Sequence, residues 1–434
     1  MSPKHTVCFC NNRGGVGKTF MAFQTACEAA RSRPDKRVLV IDFSLYSDQT
    51  ALLLGGSARE SFGAPMKGLQ VTVDVTTCDT RAEGLIRDLE HAPDAMDCDE
   101  DRPASSSIFG TFFSRKRKTT SPGTKTPPRG DGPVDLTRYA LRPHDHNPAI
   151  PPNLYLIPSA GATSWADTQS DHAGQHGYAE TEDQQIPLWA RRGDGWLSAA
   201  RKLRVALEAL PDDFGAVFVD TDHLAACVLT KLALASCEKV IVPLSFDDGD
   251  FNRLFQDVTG NALFTDVMVP MRAAGVLAAR VCALVFTKVA STKNEAVTTE
   301  GGIRSPFKPS LTVMAQMDAM ARQVQSACQA DERYARLFYR DDEFDDEARA
   351  LVEGPARPFR EAYFSAMKLV PDLAANISKM CGMPICAMTG EKYVAPSGLS
   401  GQSAKPVLDG LKAEIRDLAA RVLDDAYDAP IDAS

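Results

Sequence analysis

Residues Asn11 to Phe20, which read Asn-Asn-Arg-Gly-Gly-Val-Gly-Lys-Thr-Phe, constrain this chain more than any other stretch. The apolar run Thr6–Cys10 before them has the length and bulk of a buried strand. Met21 to Arg33 follows, rich in good helix formers, with Met21, Ala22, Thr25, Ala26 and Ala29 at helical spacing. Strand, glycine-rich turn and helix is the setting of a phosphate-binding loop. Glycines let backbone N–H groups turn inward onto an oligophosphate, and the helix N-terminus adds the positive end of its dipole. In such a loop Lys18 reaches the β- and γ-phosphates and the Thr19 hydroxyl holds Mg²⁺. The strict pattern G-x-x-x-x-G-K-[ST] fails at one place, where Asn12 stands for the first glycine.

Composition bounds the partners more than the fold. The chain has 434 residues, room for two or three domains on length alone. Its net charge of −9 gives nonspecific binding to nucleic acid or anionic membrane no help. Eleven cysteines are scattered without a C-x-x-C pair, which suits a reducing compartment. Cys8 and Cys10 fall on one face of the first strand and read as buried small hydrophobes. The polar N-terminus enters that strand at once, so no signal peptide is expected. No apolar run nears the ~18–20 residues a membrane span needs. A soluble cytoplasmic protein is the expectation, with the nucleus left open.

Further along, Lys36–Asp42 is a second apolar strand ending in an acid, the start of a parallel α/β sheet. Residues 93–150 change character and read as a disordered insertion, acidic from Asp94 to Asp101 and basic at Arg115–Lys118. That basic run is either a contact to nucleic acid or an anionic surface, a nuclear-import signal, or a solvated loop facing its acidic neighbour. Asn153–Ser159 resumes as a strand, and 166–192 is a polar loop. His144, His146, His172 and His176 lack a metal-ligand framework and read as solvated. Gly195–Leu210 is an amphipathic helix, and Ala216–Asp220 is an apolar strand whose terminal carboxylate can meet the Mg²⁺ of a nucleotide on the neighbouring loop. Cys237–Leu244 and Val281–Lys288 are strands and Ser291–Pro309 a loop. Leu311–Ala330, Glu332–Arg357 and Pro406–Ala426 read as helices.

Arg13-Gly14-Gly15-Val16-Gly17-Lys18-Thr19 resembles the deviant Walker A loop, K-G-G-x-G-K-[ST], of the ParA/MinD family of dimerising ATPases. Weaker echoes occur in the family's order: Asp42–Gly55 after the second strand, Asn153–Ser159, Ala216–Asp220 as Walker B, Cys237–Leu244, Thr287-Lys288, and Val370-Pro371-Asp372 before Cys381–Ile385. The resemblance implies an α/β P-loop NTPase, a twisted and mostly parallel sheet with helices on both faces, formed by 1–434 as one domain. It implies ATP and Mg²⁺ as cofactors, an ATP-dependent homodimer, and a cargo or adaptor protein to be positioned or partitioned. Carried over by position, Asn12, Arg13, Gly14, Gly15, Val16, Gly17, Lys18, Thr19 and Phe20 contact nucleotide, with Thr287 and Pro371 near the base. Thr19 and Asp220 serve the metal, and Lys18, Arg13 and Asp42 serve catalysis, Arg13 across the dimer.

Departures from the family pattern are equally specific. Arg13 replaces the early lysine, Ser44 replaces the second aspartate associated with positioning water, and Leu45-Tyr46 replaces Pro-Gln. Thr221-Asp222-His223 follows Asp220 where x-P-P is usual. Asp48 lies near enough to Ser44 to stand in for the missing acid, while Asp222 and His223 either replace that chemistry or mark a relaxed switch, the preferred reading. A nucleotide switch or scaffold with little hydrolysis is therefore the alternative function. The acidic end Asp424–Asp428 is the opposite of a basic membrane anchor, and no cysteine pair suits a metal-cluster carrier. DNA contact would fall to Arg115–Lys118.

Overall fold

Buried parallel strands are covered on both faces and so carry nearly continuous apolar runs. The computed structural model bears this out in a sheet of seven parallel strands: β1 (His5–Phe9), β2 (Arg37–Phe43), β3 (Leu154–Ile157), β4 (Phe214–Thr221), β5 (Lys239–Leu244), β6 (Arg280–Val289) and β7 (Phe364–Lys368). It describes residues 5–59, 65–92, 132–160, 195–222, 227–245, 248–258, 260–289, 291–293, 308–339, 346–394 and 400–423. The strand order is β3-β2-β4-β1-β5-β6-β7. Strands on both sides of each polar stretch join this one sheet.

Helices α1 (Lys18–Ser32), α2 (Asp48–Leu53), α3 (Ala82–His91), α4 (Gly195–Glu208), α5 (Val228–Ser236), α6 (Leu311–Ala330), α7 (Ala356–Tyr363), α8 (Asp372–Cys381) and α9 (Lys405–Leu423) cover it. Alternation along β1 separates the two layers. Val7 and Phe9 face Phe23 of α1, Ile377 of α8 and Leu411 and Ile415 of α9. Cys8 and Cys10, both buried, face the layer that holds Leu85 of α3, Leu203 of α4, Leu232 of α5 and Val324 of α6. Helices on both faces of a parallel sheet are the arrangement the sequence implies.

Because the order of the strands runs in opposite senses on the two sides of β1, a crevice opens at the strands' C-terminal ends. Register fixes what lies there. Phe9 pairs with Asp220, and Asp220 pairs with Asp42, so the two aspartates stand level where the chain leaves β1.

Several expectations are corrected. Helix α1 begins at Lys18 rather than Met21, since Gly17, in a left-handed conformation with φ 92°, is its cap. Glu332–Arg357 is no single helix; it holds Glu332–Ala335 and Asp346–Glu353, and Gly354-Pro355 ends the latter before α7. Ser291–Lys293 pairs antiparallel with Lys308–Pro309 inside the span read as loop. The expected insertion 93–150 is packed over its last part. Leu136, Tyr139 and Ile150 are buried, and Leu141 N–H donates to Leu156 O at 2.9 Å beside β3. Their apolar residues are irregularly spaced, so no period betrays them. The remainder of that insertion, with Arg115–Lys118, the loop 166–192, His223 and the acidic end 424–428, lies outside the described residues. Among the described residues no helix is long and apolar enough to cross a membrane.

Candidate phosphate-binding site

The loop from Asn11 to Gly17 leaves β1 and turns into α1 through two left-handed glycines, Gly15 at φ 77° and Gly17 at φ 92°. A side chain at either would be strained, which is why the turn needs glycine. No side chain caps α1 and its first turn carries no acid, so its N–H groups and dipole are left for an anion. A cleft of about 580 Å³ opens there, lined by Gly14, Gly15, Gly17, Lys18, Thr19 and Phe20 of the loop and α1. Ser44, Tyr46 and Asp48 line it after β2, Thr221 and Asp222 at the end of β4, and Thr287-Lys288 with Met367–Val370 at the ends of β6 and β7.

Lys18 is buried, and its Nζ donates to the Arg13 carbonyl at 2.7 Å. Burial lowers its pKa, while Asp220 and Asp222 are among the negative groups that oppose the fall. Asp220 is fully buried, and neither of its carboxylate oxygens has a hydrogen-bond partner at bonding distance. Burial raises its pKa well above the ordinary value and the charge of Asp42 adds to that, while the nearby Thr19 hydroxyl and Lys18 oppose it. A buried carboxylate without donors is costly unless something positive meets it.

Asp42 is placed differently from the catalytic role the resemblance implies. Its Oδ1 accepts from Ser44 N–H at 2.9 Å and Ser44 Oγ–H at 2.6 Å. Its Oδ2 accepts from Thr50 N–H at 2.8 Å and Thr50 Oγ–H at 2.6 Å. With both oxygens occupied and outside the cleft lining, Asp42 holds the segment after β2 in place. Burial raises its pKa, and these bonds oppose the rise.

Other predicted site residues are dispersed. Asn12 turns away from the cleft, its Nδ2 donating to Arg253 O at 2.9 Å and contacting Asp257 at 3.4 Å, so it pins the loop's far side. Arg13, Val16 and Pro371 are not among the lining residues, although Val370 and Asp372 beside Pro371 are. Thr287 lines the cleft yet lies under the loop, its hydroxyl 2.9 Å from Val16 O and 3.1 Å from Leu244 O. Lys288, in the left-handed region at φ 60°, donates from Nζ to Gly15 O at 2.8 Å.

Two acids outside the family's motif positions, which the sequence offers as stand-ins for the missing aspartate, Asp222 and Asp48, both stand in this cleft. Asp222 is buried, and its Oδ2 accepts from Leu45 N–H at 3.1 Å. Asp48 opens α2 after Ser47, itself left-handed at φ 55°. Its carboxyl is pushed up to about 6, first by desolvation and then by Asp42 and Asp222, with Lys379 opposing. The signal available in sequence was the acid two positions beyond the Walker B aspartate.

No family model and no curated protein matches the chain. Among solved structures it is similar in chain path to an ATP complex of a McdA variant from Cyanothece, at 10% identity over 98% of this chain and 97% of that one, with a TM-score of 0.49. It is similar also to the ParA of pNOB8 bound to nonspecific DNA, at 15% identity over 98% and 100%, with a TM-score of 0.44. A plasmid partition protein from Borrelia burgdorferi bound to AMPPNP aligns at 12% identity over 87% and 90%, with a TM-score of 0.40.

Proposed function

We propose that this chain binds Mg-ATP in the cleft above the glycine loop, associates with a second copy when loaded, and uses that cycle to position or partition a cargo. One observation carries the nucleotide reading. The carboxylate of Asp220 is buried without hydrogen-bond partners beside Lys18 and Thr19, beneath an uncapped helix N-terminus and two left-handed glycines. That combination fits a hydrated divalent cation bridging a carboxylate to phosphates. Thr19 and Asp220 would hold Mg²⁺, directly or through water, and Lys18 would exchange the Arg13 carbonyl for phosphate oxygens. Bound Mg²⁺ supplies neutralisation of phosphate charge. Arg13 lies outside the cleft lining of its own chain, which agrees with a contact made across a dimer.

Equilibrium titration with a fluorescent ATP analogue, with and without Mg²⁺, tests this. Wild type binds with Mg²⁺; Lys18→Ala loses at least about tenfold in affinity, the worth of one charge-assisted contact. Asp220→Asn loses the Mg²⁺ dependence. Light scattering on the same samples reads association. Absence of binding by wild type overturns the proposal. Ser44 favours the alternative of a slow or silent switch, because its hydroxyl is committed to Asp42. Turnover by wild type that Lys18→Ala abolishes would remove that alternative.

A further inference from the structure

Attack of water on a phosphoryl group needs an acceptor that holds the water in line with the breaking bond. Four aspartates gather beside the glycine loop, Asp48 and Asp222 in the cleft lining and Asp42 and Asp220 behind it, and their surroundings separate their roles. Asp42 has both oxygens engaged by Ser44 and Thr50. Asp220 is fully buried behind the lining with both oxygens unpartnered, and is the carboxylate that the ATP-binding reading gives to the cation. Asp48 lines the cleft, but the cation acting on it is Lys379 of α8.

Asp222 alone of the four combines three properties. It lines the cleft, its charge acts on Lys18, and its Oδ2 holds the backbone N–H of Leu45 at 3.1 Å. That last bond carries a carboxylate from the end of β4 across to the loop after β2, next to Ser44. Ser44 itself cannot accept a proton as a carboxylate would, and its hydroxyl is turned to Asp42.

We infer that Asp222 is the water-orienting residue of this chain, a carboxylate delivered from β4 to the place where the β2 loop offers only a serine. In the step it serves, the water oxygen bonds to the γ-phosphorus as the bond from that phosphorus to the β–γ bridging oxygen breaks. The electron pair of that bond stays on the departing diphosphate. Asp222 accepts a hydrogen bond from the water, and the proton released ends on the inorganic phosphate formed. This inference rests on the ATP-binding reading.

Wild type, Asp222→Asn and the double variant Asp222→Asn/Ser44→Asp discriminate. Asparagine keeps an oxygen for Leu45 N–H, so the docking of the loop survives the substitution. Triphosphate affinity is titrated first, and phosphate release is then followed over a single turnover. The protein-bound nucleotide is finally extracted and separated. Asp222→Asn is expected to keep its affinity within about twofold, to slow release on the order of a hundredfold, and to retain triphosphate where wild type holds diphosphate. Restoring a carboxylate at position 44 is expected to recover release at least about tenfold, which a structural role would not allow. Release by Asp222→Asn at the wild-type rate overturns the inference, and so does a wild type that binds triphosphate without turning it over. Parallel loss of affinity and turnover in Asp222→Asn, unrelieved by Ser44→Asp, assigns the residue to loop structure and also overturns it. A wild type that binds no triphosphate fails the parent reading instead.

Discussion

Thr287 shares one hydroxyl proton between Val16 O and Leu244 O, and Lys288 holds Gly15 O from the same strand end. Two consecutive carbonyls of the glycine loop are thereby drawn back toward β6. The sequence resemblance puts Thr287 near a base; the structure places its hydroxyl under the glycine loop, on Val16 O and Leu244 O. Nothing in a strand reading shows which carbonyl a terminal hydroxyl will meet. Lys18, Thr19 and the glycines were legible as one strand–turn–helix stretch, and the structure lines one cleft with them. Asn12 and Asp42 were not, since both look like site residues, yet Asn12 Nδ2 is taken up by Arg253 O, distant in sequence, and both oxygens of Asp42 by the segment after β2. Thr287→Val preserves shape and removes the shared proton. It is expected to weaken triphosphate binding about tenfold with little change in thermal midpoint, whereas Thr287→Ser retains affinity. Equal affinity in Val and Ser variants would show that the support is dispensable.

Between α2 and α8 the backbones approach so closely that no side chain fits. A Cβ on Gly382, at φ 62°, would lie 2.2 Å from Leu52 O, and one on Gly56, at φ 92°, would lie 2.2 Å from Met380 O. Asn147 bridges the same contact, donating from Nδ2 to Gly382 O at 2.8 Å and to Leu53 O at 3.3 Å. This joins the segment before the closing helix to the one that carries Ser44 and Asp48. Gly382→Ala is expected to cost about 3 kcal/mol or more, from combined backbone strain and overlap. Urea denaturation reads it as a lower midpoint at unchanged slope. At this scale β2, β4 and β5 were legible as apolar runs covered on both faces, such as Val38–Ile41. Strand β7 was not, because at the edge of the sheet it tolerates Ser365 and Ala366 in a short mixed run. Asn147 and its surroundings fell inside an expected insertion for the same reason: packing there depends on contacts across the fold, not on local period.

Helix α9 closes the molecule through a carboxyl rather than by apolar packing alone. Glu414 is 3% exposed and accepts from Lys368 N–H at 2.7 Å, tying the last helix to the end of β7, whose Met367 and Lys368 line the cleft. Burial pushes its carboxyl up to about 8 from the ordinary 4.5, against the backbone bond and charge of Lys368. The sign follows from proton uptake. Between those two values the folded chain holds a proton that the unfolded chain has lost, so unfolding free energy falls as pH rises. The contribution is complete below the unfolded value and gone above the folded one. Asp42, Asp220 and Glu83 are shifted the same way by burial, so each adds to that slope. Glu414→Gln keeps an oxygen for Lys368 N–H and removes the titration. Wild type and variant are expected to match at about pH 4.5, with the variant ahead by about 2–4 kcal/mol at about pH 9. Denaturation midpoints across that range decide it. A variant whose stability falls with pH as steeply as wild type would show that Glu414 is ionised in the folded chain and that its burial does not set the slope.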